Sequence, residues 1–239
     1  MFKNVLHAFW KSNDTGNRFW FTTYDMTRVW VPPAGINVPG YWTWDCKWHD
    51  ARLTNETACS PFAPAACVFD DQLYLFWKAN DSSNSIYYSA SGDGVTWLSG
   101  IAINTLDSTP SAPAACAFGG KLYLFWQAND SGNRIYYSAS ADGVSWPGGS
   151  TINDRDSTPA SPSVSVFNNK VYLFWRANDS GQRIYHASSS DGVNWPHGTV
   201  INDWDYTPEA PASCVFNNQL YVFWKGGDSC IYCSASTSG

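Results

Sequence analysis

Apolar positions recur along the chain at a fixed interval. The runs Leu73–Trp77, Leu122–Trp126, Val171–Trp175 and Leu220–Trp224 each read aliphatic, Tyr, aliphatic, Phe, Trp, and each lies 49 residues after the last. A looser copy, Leu6-His7-Ala8-Phe9-Trp10, comes first, and its Trp lies 67 residues before Trp77, so the first repeat carries 18 extra residues. Such a run is apolar on both faces, as a strand sandwiched between neighbouring sheets must be. A shorter run of small residues ending in Phe precedes it, as in Ala114–Phe118. Asp70-Asp71, Gly119-Gly120, Asn168-Asn169 or Asn217-Asn218 joins the two. These residues tolerate the positive φ of a two-residue hairpin turn. A polar loop follows (Ala128 to Asn133), then a third strand from Arg134, a Ser-x-Asp-Gly turn, and a fourth strand opening on Trp146 and ending near Ile152.

Helical periodicity is absent, and turn signals fall every 8–12 residues. The pattern predicts an all-β fold, a five-bladed β-propeller of four-stranded antiparallel blades with about 49 residues per repeat. Residues 1–239 form one domain, with repeats near 1–62 (insertion 38–59), 63–111, 112–160, 161–209 and 210–239. The ends are ragged: the first copy lacks its first strand and the last its fourth. Trp42, Trp44, Cys46 and Trp48 alternate with polar residues in the insertion, which is a half-buried strand pattern. Either the insertion fills the gap, or a second copy of the chain covers the open edges as a homo-oligomer.

Composition narrows the function classes. The net charge of −6, with no basic run, argues against nucleic-acid or anionic-membrane partners. No apolar stretch approaches the roughly 20 residues of a membrane helix, so no membrane insertion is expected. The first strand begins by about Val5 and leaves no room for a signal peptide, which reads as cytoplasmic, leaderless or processed after secretion. Of seven Cys, Cys67, Cys116 and Cys214 share one repeat slot that Ser165 fills in the fourth copy, which marks a small buried site. Cys46 and Cys59 lie in the insertion, where pairing is one option. Cys230 and Cys233 form a CxxC whose strand alternation points the thiols apart. His7, His49, His186 and His197 show no metal-ligand grouping, and the Asp residues lack calcium-loop spacing, so neither metal nor cofactor is expected.

The turns Ser91-Gly-Asp93-Gly94-Val-Thr-Trp97, Ser140-Ala-Asp142-Gly143-Val-Ser-Trp146 and Ser189-Ser-Asp191-Gly192-Val-Asn-Trp195 resemble the Asp-box of sialidase-like (BNR-repeat) propellers, one residue shorter than usual. The first repeat keeps only Trp30, and the fifth ends before the motif. In that family the motif is a structural turn remote from catalysis. The resemblance implies the fold and stops short of sialidase chemistry, which needs an arginine triad, a Tyr–Glu pair and an acid Asp. Only Glu56 and Glu209 are present, and Arg18, Arg134 and Arg183 share one repeat position. The chain resembles propeller lectins more than catalytic sialidases.

Topology gathers the loops after the second strand and the inter-blade links on one face. Sugars offer an apolar face for stacking and hydroxyls for bidentate contacts. Candidate ligand residues there are Trp10, Lys11, Asn13, Asp14 and Arg18 in the first copy, then Trp77, Lys78, Asn80, Asp81 and Asp107. The third copy offers Trp126, Gln127, Asn129, Asp130, Arg134 and Asp156, and the fourth Trp175, Arg176, Asn178, Asp179, Arg183 and Asp205. A structural reading stands beside this: the Trp residues as core, and Asn-Asp-Ser-Gly as turn chemistry alone. The fifth loop, Lys225-Gly-Gly-Asp228, lacks the Asn and predicts a weak or absent pocket. Near-identical loops favour a multivalent lectin that binds glycans. The alternative is a glycoside hydrolase using Asp45, His49, Asp50 and Glu56 of the insertion.

Overall fold

The computed structural model describes residues 1–32, 41–54 and 58–239, with backbone alone at 26–30, 41, 42 and 44–46. All its regular elements are strands. Blade I holds β1 (Leu6–Lys11), β2 (Phe19–Val31), β3 (Tyr41–Trp48) and β4 (Arg52–Leu53). Blade II holds β5 (Ala65–Phe69), β6 (Gln72–Lys78), β7 (Ile86–Ser91) and β8 (Ile101–Ala102); blade III holds β9 (Ala114–Phe118), β10 (Lys121–Gln127), β11 (Ile135–Ser140) and β12 (Ser150–Thr151). Blade IV holds β13 (Ser163–Phe167), β14 (Lys170–Arg176), β15 (Ile184–Ser189) and β16 (Thr199–Val200), and blade V β17 (Ala212–Phe216), β18 (Gln219–Lys225) and β19 (Ile231–Ser236). Every sheet is antiparallel, and blades II to IV run in simple sequence order. Five such blades around a channel make a five-bladed β-propeller. Blade V has three strands, as the sequence expects.

The hairpin turns take the conformation their residues permit. Asp70 and Asp71 have φ of 45° and 53°, Asn168 and Asn169 47° and 56°, and Gly119 and Gly120 55° and 72°. Two consecutive positive φ values match the right-handed strand twist that closes a two-residue hairpin.

Strand β10 shows why the second strand must be apolar on both sides. Leu122, Leu124 and Trp126 pack with Phe76 and Trp146 against blade II. Tyr123 and Phe125 pack with Leu173 and Trp195 against blade IV. At each of three seams one tryptophan from the turn before the fourth strand wedges between blades. Trp97 meets Phe9, Trp146 meets Phe76 and Trp195 meets Phe125, each at 5.5 Å and nearly edge to face. Such pairs contribute about 0.5–1.5 kcal/mol beyond the area they bury.

Asp93, Asp142 and Asp191 hold the turns that aim these tryptophans. Asp142 accepts the N–H groups of Val144 at 2.8 Å and Ser145 at 2.7 Å, and the other two do the same one blade away. The fifth copy, expected to end before this turn, forms its first half. Ser236 Oγ accepts the Gly239 N–H at 2.9 Å, as Ser189 does for Gly192.

The insertion departs from expectation. Arg52–Leu53, not the residues after Trp30, pairs with Trp20 and Phe21 as the fourth strand of blade I. The extra residues instead lengthen the third strand into the β2–β3 hairpin, in register from Tyr24↔Trp48 to Val31↔Tyr41. Trp42 to Trp48 do form a strand. Among the described residues no strand pairs with the other edge of β1, and its Leu6, His7 and Phe9 border the channel. Cys59 is a free thiol, as are Cys67, Cys116, Cys214, Cys230 and Cys233; the side chain of Cys46 lies outside the described residues.

Candidate functional site

A hollow of about 220 Å³ opens at blade IV between Trp175, Asn178, Asp179 and Tyr185 on one side and Arg155, Asp156 and Ser157 of the preceding link on the other. The loop is built by its own aspartate. Asp179 Oδ1 accepts the Gln182 N–H at 2.8 Å, and Gln182 takes a φ of 51°. Asp14, Asp81 and Asp130 brace their loops one residue nearer, accepting the N–H of Gly16, Ser83 and Gly132 at 2.9–3.0 Å. The link is latched by Asp156. Its Oδ2 accepts Asn153 Nδ2 at 2.7 Å and the Gly198 N–H at 2.8 Å, tying the link to the fourth strand of blade IV. Asp107 repeats this with Asn104 at 2.8 Å and Gly149 at 2.9 Å.

The hollow recurs. At blade II a hollow of about 220 Å³ is lined by Cys59, Trp77, Asn80, Asp81, Tyr87 and Gly100. At blade V one of about 230 Å³ is lined by Trp204, Asp205, Tyr206, Trp224, Asp228 and Tyr232. The sequence predicts a weak or absent pocket there; the hollow is present and has gained two aromatic residues. Trp204 is 77% exposed at its rim. Asp205 bonds Asn202 at 2.6 Å, but among the described residues no glycine N–H reaches it from blade V. In blade III, Trp126, Asn129, Asp130 and Tyr136 are arranged alike, with Asn129 N–H on Ser108 O at 3.3 Å.

The candidate residues fall into distinct roles. Trp77, Trp126 and Trp175 are 1–3% exposed, so they are pocket floor and core rather than open stacking platforms; Trp10 is 38% exposed. Asn13, Asn80, Asn129 and Asn178 are exposed at the loop tips. The slot after the Trp braces the loop from within. Lys11 Nζ donates to Asn17 Oδ1 at 3.0 Å, Gln127 Nε2 to Asn133 Oδ1 at 2.9 Å, and buried Lys78 to Ala79 O at 3.0 Å. Any long donor serves, which explains Lys and Gln in one position; Arg176 lies there half-buried. Arg18 and Arg134 pair with Asp14 at 3.5 Å and Asp130 at 3.4 Å. Arg183 immediately precedes β15 and bridges Tyr206 of the following link. Ser12 above all, then the Gly16 N–H, pull the Asp14 carboxyl below its ordinary range, and the Ser83 hydroxyl does the same for Asp81.

Sequence reasoning missed Tyr87, Tyr136, Tyr185 and Tyr232. Each sits on the third strand with its ring 6.1–6.2 Å from the pocket tryptophan. The signal was their invariance at one repeat position, one residue after Ile86, Ile135, Ile184 and Ile231.

The channel is chemically different. Its hollow of about 440 Å³ is walled by Phe2, Leu6, His7, Phe9, Leu73 and the small or apolar residues of β5, β9 and β13, including Cys67, Cys116 and Ser165. Burial pushes the Cys67 thiol up to about 12 and raises Cys116 as well. In the insertion, His49 Nε2 lies 2.9 Å from Asp25 Oδ2. Glu56 lies outside the described residues, as does the side chain of Asp45.

Comparison with protein-family models and with curated proteins gives no match. Solved structures do match in fold. A lectin from Burkholderia pseudomallei superposes with a TM-score of 0.65 at 16% identity, over 98% of this chain and 67% of that one. Aleuria aurantia lectin, solved with Fucα1-6GlcNAc, gives 0.56 at 16%, over 98% and 75%. The GH32 β-fructofuranosidase of Bombyx mori, solved with sucrose, gives 0.60 at 13%, over 94% of this chain, which spans 53% of that enzyme's length. The likeness is one of fold. All three are proteins of carbohydrate chemistry, two of them binders and one a hydrolase.

Proposed function

We propose that the chain is a multivalent carbohydrate-binding protein of the lectin type, without catalysis, with one shallow sugar site per pocket-bearing blade. The observation that carries this reading is repetition: the same hollow is built at blades II, IV and V from equivalent Trp, Asp and Tyr positions. Binding tolerates equal copies, whereas hydrolysis requires one asymmetric constellation. At blade IV, Asn178 and the Asp156 and Asp179 carboxylates present acceptors and donors to vicinal hydroxyls, beside the ring of Tyr185. The channel hollow is walled, among the described residues, by apolar and small residues and His7, with no carboxylate. The Asp-anchored turns support a sialidase-like, BNR-type origin for the scaffold, with the turns acting in structure alone.

The hydrolase alternative draws on the GH32 and GH43 folds among the similar structures. Its chemistry would rest on the insertion, where the Asp25–His49 pair lies.

A glycan array on the purified protein, followed by calorimetry with the strongest ligand, tests the reading. Asn178→Ala should remove one site and leave the melting temperature unchanged, because the side chain has no hydrogen-bond partner among the described residues. Unaltered stoichiometry in that variant would count against the pocket.

A further inference from the structure

The blade V hollow differs in kind from its equivalent at blade IV. Trp204 stands where Arg155 does, Tyr206 where Ser157 does, and Gly227 where Asn178 does. A cation, a hydroxyl and an amide thereby give way to two aromatic rings and bare backbone. The lining holds four aromatic side chains, Trp204, Tyr206, Trp224 and Tyr232, and two carboxylates, Asp205 and Asp228, with no Lys or Arg.

The loop places the rings. It is two residues shorter than in blade IV, and its glycines leave room: a Cβ on Gly226 would strike Tyr232, and one on Gly227 the Tyr206 phenol. Tyr232 stacks on Trp224 with ring centroids 6.2 Å apart and donates its hydroxyl to Asp228 Oδ2 at 2.8 Å. Asp228 Oδ1 accepts the Cys230 N–H at 3.0 Å; this bond foremost, then that of Tyr232, holds its carboxyl below the ordinary range. Asn202 fixes Asp205 by donating to its Oδ2 at 2.6 Å. The hydrogen bond to Asp228 first, and the Asp205 charge among lesser causes, raise the Tyr232 phenol above its ordinary value.

The neighbouring cations face other groups. Lys225 Nζ lies 3.8 Å from Glu209 Oε1, and Arg183 lays its side chain beside Gly181 of its own loop. In blades I and III an arginine just before the third strand pairs with the loop aspartate, Arg18 with Asp14 and Arg134 with Asp130; Cys230 holds that position in blade V. The 77% exposure of Trp204 belongs to its position, because Leu106, its equivalent beside the four-stranded blade III, is 79% exposed.

Aromatic faces attract organic cations, Trp most strongly, and carboxylates accept strong charge-assisted hydrogen bonds from N–H donors. We propose that the blade V pocket takes an amino sugar in its protonated form. The sugar ring stacks on Trp204, and the ammonium group lies among Tyr206, Tyr232 and the Asp205 and Asp228 carboxylates. Arg155 would repel the same group at blade IV, so the preference is local to blade V. The inference rests on the lectin reading and names the ligand class of one of its pockets.

The test follows the Trp204 indole N–H resonance of the isotope-labelled full chain, assigned by its loss in Trp204→Phe. The chain is titrated at mildly acidic pH with glucosamine, N-acetylglucosamine and tetramethylammonium. Glucosamine should bind saturably, at least about fivefold more tightly than the uncharged N-acetyl sugar. Asp205→Asn, followed by the same resonance, and Trp204→Arg, followed by calorimetry, should each abolish that preference. The arginine copies blade IV at an exposed position and should leave the fold intact. Equal affinity for the two sugars, or a preference retained in both variants, would overturn the inference while the lectin reading stands. So would tetramethylammonium binding as tightly as glucosamine, which would show the sugar ring to be idle. No shift with either sugar, while an array glycan still binds at blades II and IV, would overturn the amino-sugar assignment alone. No glycan binding at any blade would sink both readings together.

Discussion

Gly100, Gly149 and Gly198 lie so close to the pocket indoles that an added Cβ would come within 2.3–2.5 Å of the rings of Trp77, Trp126 and Trp175. Those rings are held by the core and have nowhere to go. Gly198→Ala should therefore cost about 1–3 kcal/mol, the usual range for overpacking, seen as a lower urea midpoint; an unchanged midpoint would show the indole to be mobile. Thiols divide just as sharply. Cys67 and Cys116 face the channel with raised pKa values, while Cys214 and Cys233 are exposed. Alkylation at pH 8 should label Cys214 and Cys233 first, ahead of Cys230, which is also exposed but whose pKa the hydrogen bond with Asp228 raises, and peptide mapping checks the order. At this scale the sequence shows which residues repeat but not what they touch. Lys11 and Gln127 looked like ligand donors because a cation or amide beside Asn-Asp suits a sugar. Their partners, Asn17 and Asn133, are supplied by the left-handed turn of the loop, which residue type alone does not reveal.

At the scale of the element, the Asp-anchored turns link pH to stability. Asp93, Asp142 and Asp191 are held well below the ordinary carboxylate range, chiefly by backbone N–H bonds to the residues two and three positions on. A depressed folded-state pKa stabilises the fold above the unfolded value, about 4, and that contribution is lost as pH falls further. The denaturation midpoint should thus decline steadily below about pH 4. The triple Asp→Asn variant should show a shallower decline; an equal slope would place the acid sensitivity elsewhere. The turns, hairpins and doubly apolar second strands were legible because each is set by residues within a few positions. The insertion was half legible. Alternation announces the strand at Tyr41–Trp48, but its partner is chosen by non-local pairing, so the hairpin sits before the fourth strand of blade I rather than after it.

For the whole molecule, stability is shared among seams, and the seams are unequal. Leu6 and Trp10 of blade I are 42% and 38% exposed, where Leu73 and Trp77 of blade II are 4% and 3%. Trp146→Ala, which empties a complete seam, should cost about 3–5 kcal/mol, measured by chemical denaturation; a cost below 1 would mean the blades hold without the wedge. Under the proposed lectin reading, function at this scale rests on number. Shallow pockets on one rigid scaffold can raise avidity by roughly 10²–10⁴ for a clustered glycan. Trp204 and Tyr206 make the blade V pocket an unequal member of the set, a difference invisible to a reading that looked for the missing Asn. The most direct measurement is calorimetric stoichiometry with a soluble monovalent glycan chosen from the array, run beside an aryl-glycoside hydrolysis assay. Three sites per chain, or four with the like-arranged loop of blade III, and no turnover, is the predicted result. A single site accompanied by hydrolysis would contradict it.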